Sequence, residues 1–304
     1  MNISIIGLGL IGGSLGLALR ESSIDVVVTG WDRDPAAITA ALERGAIDHP
    51  AFKLREAVRD ADLVVVATPV MVVQAIFKQI AADLKPGAIV SDVSSTKAQI
   101  ADWARESLPP HVSFIGGHPM AGSERHGVVN ARVDLFNSAV YCLTPDDRTA
   151  PEALATLEAL VAGIGARPLC LSASEHDAYV AAVSHLPFVL SAALAQITTQ
   201  DPRWPEMSAL AATGYRDLTR LASGDPVMHR DICLTNAAAI QPWLRDMAGL
   251  LNSLADRLDD AHELHALFDS AKQGRDAWLH ERQRTTEQER KPDALRVPDP
   301  ALSI

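Results

Sequence analysis

The stretch Asn2–Glu21, NISIIGLGLIGGSLGLALRE, decides the fold. Residues 2–7 are a short apolar run with the length and composition of a buried strand. Gly7-Leu8-Gly9-Leu10-Ile11-Gly12 follows, and an apolar segment at helical spacing then predicts a helix over 11–20. Each glycine answers a different steric demand of a strand-to-helix turn. Gly7 permits the tight turn, Gly9 lets the backbone approach a pyrophosphate, and Gly12 lets helix and strand pack closely. Leu10 and Ile11 open the helix, whose N-terminus faces the anion.

The second strand, Val26–Gly30, ends at Trp31-Asp32, and Asp32 lies 20 residues beyond Gly12. A carboxylate there accepts from the adenosine ribose hydroxyls and repels a ribose phosphate, so NAD is favoured over NADP. Arg33, its neighbour, works against that preference. Asp62–Ala67 is a third strand, and Thr68 and Pro69 end it on the sheet edge where the nicotinamide half would pass. Strands at 88–91, 112–115, 139–144 and 167–171 follow, with helices at 35–44, 71–82, 96–107 and 151–162. This alternation predicts an α/β fold, a Rossmann-like, mostly parallel, doubly wound sheet over 1–171.

The pattern changes at Ser172, which with Glu175 has the spacing of a capping box. Beyond it no strand is read, and an all-α domain over 172–283 is expected. Asp225-Pro226 marks a helix start. Trp243, Met247, Leu250, Leu251, Leu254 and Leu258 form one apolar stripe, and Leu264, Leu267, Phe268, Ala271, Trp278 and Leu279 a second. Such stripes fill a core or a subunit interface, here that of a homodimer. Residues 284–304 are charged, carry Pro292, Pro298 and Pro300, and read as a disordered tail.

The chain has 304 residues, 48% hydrophobic and 21% charged, as in a soluble globular protein of about two domains. A net charge of −11 argues against nucleic-acid or anionic-membrane partners. Cys142, Cys170 and Cys233 have no metal-ligand or redox spacing, so no metal is expected and a reducing compartment is inferred. The most apolar stretch, Leu63–Val73, is broken by Thr68 and Pro69 and too short for a bilayer. No targeting segment is read, and the cytoplasm is the expected location.

Four segments carry chemistry. Asp92-Val93-Ser94-Ser95-Thr96-Lys97 follows a strand and opens a helix, where Ser and Thr serve as caps or as ligand contacts. Gly116–Glu124, GGHPMAGSE, places His118, Ser123 and Glu124 in a glycine-rich loop, and a histidine there can accept a proton near neutral pH. In Ser184-His185-Leu186-Pro187, the proline should free the Val183 carbonyl and kink the helix, while His185 is a core histidine or a ligand contact. Arg216 and Arg220 share a helical face suited to carboxylates or to a solvated salt-bridged surface.

Together these segments resemble the prephenate/arogenate dehydrogenase family of tyrosine biosynthesis. GLGLIGGSLGLAL, DVSSTK, GGHPMAGSE, SHLP and GYRDLTRLASGDPVMHRDI occur in family order, and the likeness covers about 1–282. It implies NAD(P)-dependent oxidative decarboxylation of prephenate to 4-hydroxyphenylpyruvate, of arogenate to tyrosine, or of both. By position, His118 resembles the residue that takes the ring hydroxyl proton, and Ser95 its partner in orienting that hydroxyl. Arg220 resembles the carboxylate-binding arginine and His185 a substrate-binding histidine. Ser123 falls in the substrate loop, and Glu124 and Arg216 resemble a charged pair that gates the pocket. The helical part resembles the family's dimerisation domain. His229 stands where some members carry tryptophan. A β-hydroxyacid dehydrogenase is the alternative enzyme, but it would use a lysine in the helical domain, and only Lys272 and Lys291 follow Lys97. A non-catalytic NAD-binding sensor or scaffold would leave His118, Ser95 and Arg220 without a task.

Overall fold

The computed structural model describes residues 1–123 and 125–290, with side chains through Arg284. β1 (Asn2–Ile6), α1 (Leu10–Glu21), β2 (Val27–Trp31), α2 (Pro35–Glu43), β3 (His49–Pro50) and α3 (Leu54–Val58) open the chain. β4 (Leu63–Val66), α4 (Val70–Ile80), β5 (Ile89–Asp92), α5 (Ala98–Ser107) and β6 (Ser113–Pro119) follow, then β7 (Val140–Pro145), α6 (Pro151–Gly163) and β8 (Arg167–Cys170). The strands form one sheet in the order β3-β2-β1-β4-β5-β6-β7-β8. β1 to β6 run parallel, β7 is antiparallel to β6, and β8 is parallel to β7.

Both faces of the sheet are buried along its central strands β1, β4 and β5, as parallel strands require, while the edge strand β8 is exposed. Ile3 and Ile5 of β1 and Leu63 and Val65 of β4 join Leu15 and Leu19 of α1, Ile38 of α2 and Leu157 of α6. The alternate residues, Ile6, Val64 and Val66, join Val73 and Phe77 of α4 and Ile100 of α5 on the other face. The chain leaves β1 toward β2, while β4 lies on the opposite flank of β1. Such a reversal opens a crevice at the carboxyl ends of the strands.

Four elements of the sheet region differ from the sequence reading. β3 and α3 were not anticipated, since two residues and five residues give too little periodicity to read. α5 starts at Ala98 rather than Thr96. β6 continues through Gly116, Gly117 and His118 to Pro119, so His118 stands on a strand and not in a loop. The glycines explain the extension. A Cβ on Gly116 would lie 2.4 Å from Thr144 Oγ1, and one on Gly117 2.4 Å from the Asp92 carbonyl. Only glycine lets the strand pass this close to its neighbours.

After β8 the described residues are helical: α7 (Ala173–Val180), a π turn (Ala181–His185), α8 (Leu186–Thr199), α9 (Trp204–Met207), α10 (Thr213–Thr219) and α11 (Pro226–Thr235). α12 (Ala237–Ala255) and α13 (Ala261–Arg290) end the described chain. Ser172 and Glu175 form the expected capping box, and Asp225 caps α11 with Pro226 in the first turn. By packing, residues 1–244 make one compact unit, and a second begins at Arg245. The expected tail is corrected at its start, because α13 runs on to Arg290; residues 291–304 lie outside the described chain. The span Ala173–Thr199 contains an 18-residue window of mean hydropathy 1.7 and is long and apolar enough to cross a membrane by length and composition alone; it is longer than Leu63–Val73. It carries the buried polar side chains of His176, Asp177 and His185.

One glycine tests the packing of this fold. A Cβ on Gly16, inside α1, would lie 1.9 Å from the backbone carbonyl of Ala46, whereas one on Gly274 of α13 meets nothing. Alanine normally stabilises a helix interior by up to about 1 kcal/mol over glycine. Gly16→Ala should instead cost about 1–3 kcal/mol from overpacking, read as a lower urea midpoint, while Gly274→Ala should be neutral or stabilising.

Candidate active site

The glycine turn takes the shape its sequence implies. Gly7 has φ +97°, and its amide donates to the Trp31 carbonyl at 2.8 Å. A Cβ on Gly12 would strike the Gly7 carbonyl at 2.0 Å, so this glycine permits the close packing of α1 on β1. A Cβ on Gly9 meets nothing within 4 Å, which leaves the backbone there open to a ligand. Gly9 is the N-cap of α1, with no side-chain cap and no acidic residue in the first turn. The amides that begin at Leu10 and Ile11 are therefore not claimed by an internal anion, and a pyrophosphate suits them.

Asp32 follows β2 and has a structural task as well. Its carboxylate accepts from the Leu8 amide at 2.7 Å and from the Asp34 amide at 2.9 Å, tying the glycine turn to the end of β2. Each oxygen retains a second acceptor position for a hydroxyl. Thr68 and Pro69 lie between β4 and α4, and Thr68 Oγ1 is buried without a hydrogen-bond partner.

The second half of the site grows from the end of β5. Lys97 and Asp92 form a fully buried ion pair, Nζ to Oδ2 2.5 Å. Lys97 Nζ also donates to the Gly117 carbonyl at 2.6 Å, and Asp92 Oδ1 accepts from the Gly117 amide at 3.2 Å. The pair thus holds both sides of the residue that precedes His118. Ser and Thr do not cap α5 from within the Asp92–Lys97 segment. Its N-cap is Lys97, and the free amides of Lys97 and Ala98 donate to Asp177 of α7, at 2.8 and 2.9 Å. Thr96 bonds Thr235 of α11 through their hydroxyls at 2.9 Å. Ser95 is half-buried in this loop, and Ser94 Oγ beside it is buried and unpartnered.

His118 is buried. Its Nδ1 lies 2.8 Å from His176 Nε2, and His176 Nδ1 lies 2.8 Å from Asp177 Oδ1. Burial, with His176 and the Lys97 charge nearby, pushes the His118 imidazole well below the ordinary histidine range, so it is neutral at neutral pH. His176 and Asp177 escaped the sequence reading. The His-Asp pair at the fourth and fifth residues of a capped helix was the available signal, but its direction toward β6 is a tertiary fact.

His185 ends the π turn. The Leu186 amide donates to the Ala181 carbonyl, five residues back, and this wider turn accommodates Pro187. His185 Nδ1 lies 3.2 Å from Asn236 Nδ2, which also donates to the Asp177 carbonyl at 2.9 Å. The amide nitrogen is a donor, so Nδ1 accepts and Nε2 carries the hydrogen. That Nε2 is buried without a partner. Burial lowers the His185 pKa to about 4. Phe188 stands next in the row, and His229 stacks on its ring at 4.2 Å.

The arginines and the 120–127 loop are less enclosed. Arg220 follows α10 on a short turn, Arg220–Ser223, that is pinned to α8 by the Ala222 amide on Ser191 Oγ, 3.0 Å. Arg220 is exposed, and no hydrogen bond or ion pair joins it to another described residue. Arg216 is exposed and pairs with Asp217 at 3.1 Å. Ser123 is exposed, its hydroxyl turned onto the Arg125 amide at 3.2 Å. Glu124 lies outside the described residues, and with it the Glu124–Arg216 pair. Lys272 pairs with Asp276 on the surface of α13 and Lys291 lies outside the described residues.

Comparison with known proteins finds two family matches along the chain. Residues 15–169 match the family described as "Prephenate dehydrogenase, nucleotide-binding domain", and residues 172–270 match "Prephenate dehydrogenase, dimerization domain". A prephenate dehydrogenase of Bacillus subtilis is 36% identical over 280 residues, 90% of this chain and 75% of that protein. The crystal structure of a Synechocystis arogenate dehydrogenase superposes with a TM-score of 0.79 at 32% identity, over 91% of this chain and 100% of that one. A prephenate dehydrogenase of Aquifex aeolicus, solved in complex with hydroxyphenyl propionate and NAD+, gives 0.79 at 27% identity, over 95% and 98%.

Two outcomes follow from these buried groups. Lys97→Met strands the Asp92 carboxylate and should cost about 3–5 kcal/mol in urea unfolding. The folded-state pKa of His185 is depressed, so below about 6.5 the unfolded chain binds the extra proton. Stability should therefore fall as pH drops from about 6.5 toward 4, by up to about 3 kcal/mol from this residue. His118 adds to the same slope, and His185→Gln should flatten it in denaturation series at stepped pH.

Proposed function

The chain belongs to the prephenate dehydrogenase family, and from that premise we propose that it oxidatively decarboxylates prephenate, arogenate or both, with NAD as hydride acceptor. One observation carries the reading: a buried, neutral histidine, His118, stands at the carboxyl end of β6, on the sheet edge where the glycine turn opens after β1. Bound NAD supplies an acceptor for the hydride that leaves the ring carbon bearing the hydroxyl. Gly9 and the first amides of α1 hold its pyrophosphate, Asp32 its ribose, and Thr68 and Pro69 flank the nicotinamide half. His118 takes the hydroxyl proton as that carbon becomes a carbonyl. It returns the proton to the oxygen once carbon dioxide has left and the ring is aromatic, so the hydroxyl proton is not lost overall. A base that is neutral at neutral pH is ready for this exchange.

Ser95 orients the ring hydroxyl, and the unpaired Nε2–H of His185 donates to the substrate. Arg220 binds a carboxylate: its charge is fixed, its fork is planar, and no described residue occupies it. Ser123, Glu124 and Arg216 belong to the substrate entrance. The functional division is residues 1–171 for the nucleotide and 172–283 for substrate and assembly. The chain works as a homodimer, supported by the exposed Val183, Ile197, Leu218, Leu258, Phe268 and Trp278 of its helices. Three free cysteines suit the cytoplasm.

The assay is the rise in reduced-nicotinamide absorbance with NAD and each substrate. His118→Asn should lower kcat by about 10²–10⁴ with little change in KM for NAD; near-normal turnover would remove His118 from the mechanism. Arg220→Ala should raise KM for the cyclohexadienyl substrate about tenfold to several hundredfold, as loss of a charged hydrogen bond implies, with Arg220→Lys recovering part. A weaker KM for NAD instead would place Arg220 in the cofactor site. A clear preference for NADP would overturn the role given to Asp32.

A further inference from the structure

We propose that His176, held by Asp177, is the positioning residue that fixes the ring tautomer of His118 and thereby makes Nε2 its basic nitrogen. The inference rests on the reading of His118 as the base. It follows from donor and acceptor counting along a buried chain. Asp177 accepts the Lys97 amide at Oδ1 and the Ala98 amide at Oδ2, as an ionised carboxylate does, and it has no hydrogen to give. The nitrogen it faces at 2.8 Å, His176 Nδ1, must then carry the hydrogen. His176 is fully buried, and with its single ring hydrogen at Nδ1 it is left with an accepting Nε2. Across the next 2.8 Å contact, His118 Nδ1 must be the donor. Its Nε2 then holds the lone pair, which takes the substrate's hydroxyl proton. In the doubly protonated His118, Nδ1 keeps its bond to His176, so the added charge lies two hydrogen bonds from the Asp177 carboxylate. No bond in the chain has to be reversed when the proton arrives or leaves.

The rings are set for this. They meet edge to face, centroids 5.1 Å apart, and His176 is fully buried, so water cannot replace it as the acceptor. Without His176, the two neutral tautomers of His118 would compete, and one of them presents a hydrogen, not a lone pair, to the substrate.

Two measurements test the proposal. In 15N-histidine-labelled protein at neutral pH, with His118→Asn and His176→Gln assigning the signals, the ring nitrogens should show Nδ1–H for both His118 and His176. An Nε2–H tautomer at His118 would overturn the proposal whether or not the protein oxidises prephenate. In kinetics, His176→Leu should lower kcat by about tenfold or more, a part of the 10²–10⁴ that a general base supplies, with KM for NAD and for the substrate nearly unchanged. His176→Gln keeps an accepting oxygen and should recover much of the loss. If His176→Leu folds and turns over normally, the proposal fails. If it does not fold, equal kcat values for His176→Gln and His118→Asn would overturn it. Absence of activity in the wild-type protein would defeat the functional reading and leave the tautomer result standing.

Discussion

One carboxylate, that of Asp177, joins the parts of this structure that must stay in register. It projects from α7 and closes the open N-terminus of α5, a task that the serines and threonine of the preceding loop leave undone. The same oxygen that accepts the Lys97 amide faces His176, and through it His118 on β6. A helix start and a polar chain thus share one anion. The interaction is favourable twice over, because amides at a helix N-terminus are themselves stabilised by negative charge. Asn236, bonded to the Asp177 carbonyl, extends the connection to α11 and His185.

The buried pair of Asp92 and Lys97 has a different role. Taking two charges out of water gains little stability by itself. What it achieves is placement: the two ends of the pair grip the amide and carbonyl of Gly117. The neighbouring strands come so near that residues 116 and 117 must be glycine. His118 is therefore carried on a section of backbone with almost no freedom, at the first position after the glycines where a side chain fits. A histidine on a mobile loop would need substrate to order it.

Much of this was legible in the sequence. The alternation of strands and helices, the glycine turn, the Ser172 capping box and the Asp225-Pro226 helix start each rest on local physics, and local physics survives folding. His118 stands out in the sequence by its chemistry, although the run of glycines before it suggests a loop. Glycine has two opposite uses, flexibility and close approach, and only the neighbours at 92 and 144 decide between them. His176, Asp177 and the clamp by Lys97 were not legible, because the partners are separated by 58, 79 and 20 residues in sequence. Such pairings depend on which faces meet after the sheet has closed. The helical stripes were read as apolar faces, and the structure leaves much of that surface exposed in a single chain.

The π turn at Ala181–His185 also sets a phase. Going along α7 and α8, buried neighbours occur as His176-Asp177, Val180-Ala181 and His185-Leu186. The first interval is four residues and the second is five, one more than an α-helical face allows. The extra residue turns everything after it by about 100° relative to α7. The His185 ring and the Asp177 backbone carbonyl reach the same Asn236 across this turn. Shortening this turn by one residue would leave a smoother helix with its second half aimed elsewhere. The widened turn works as a spacer measured in angle, not in length.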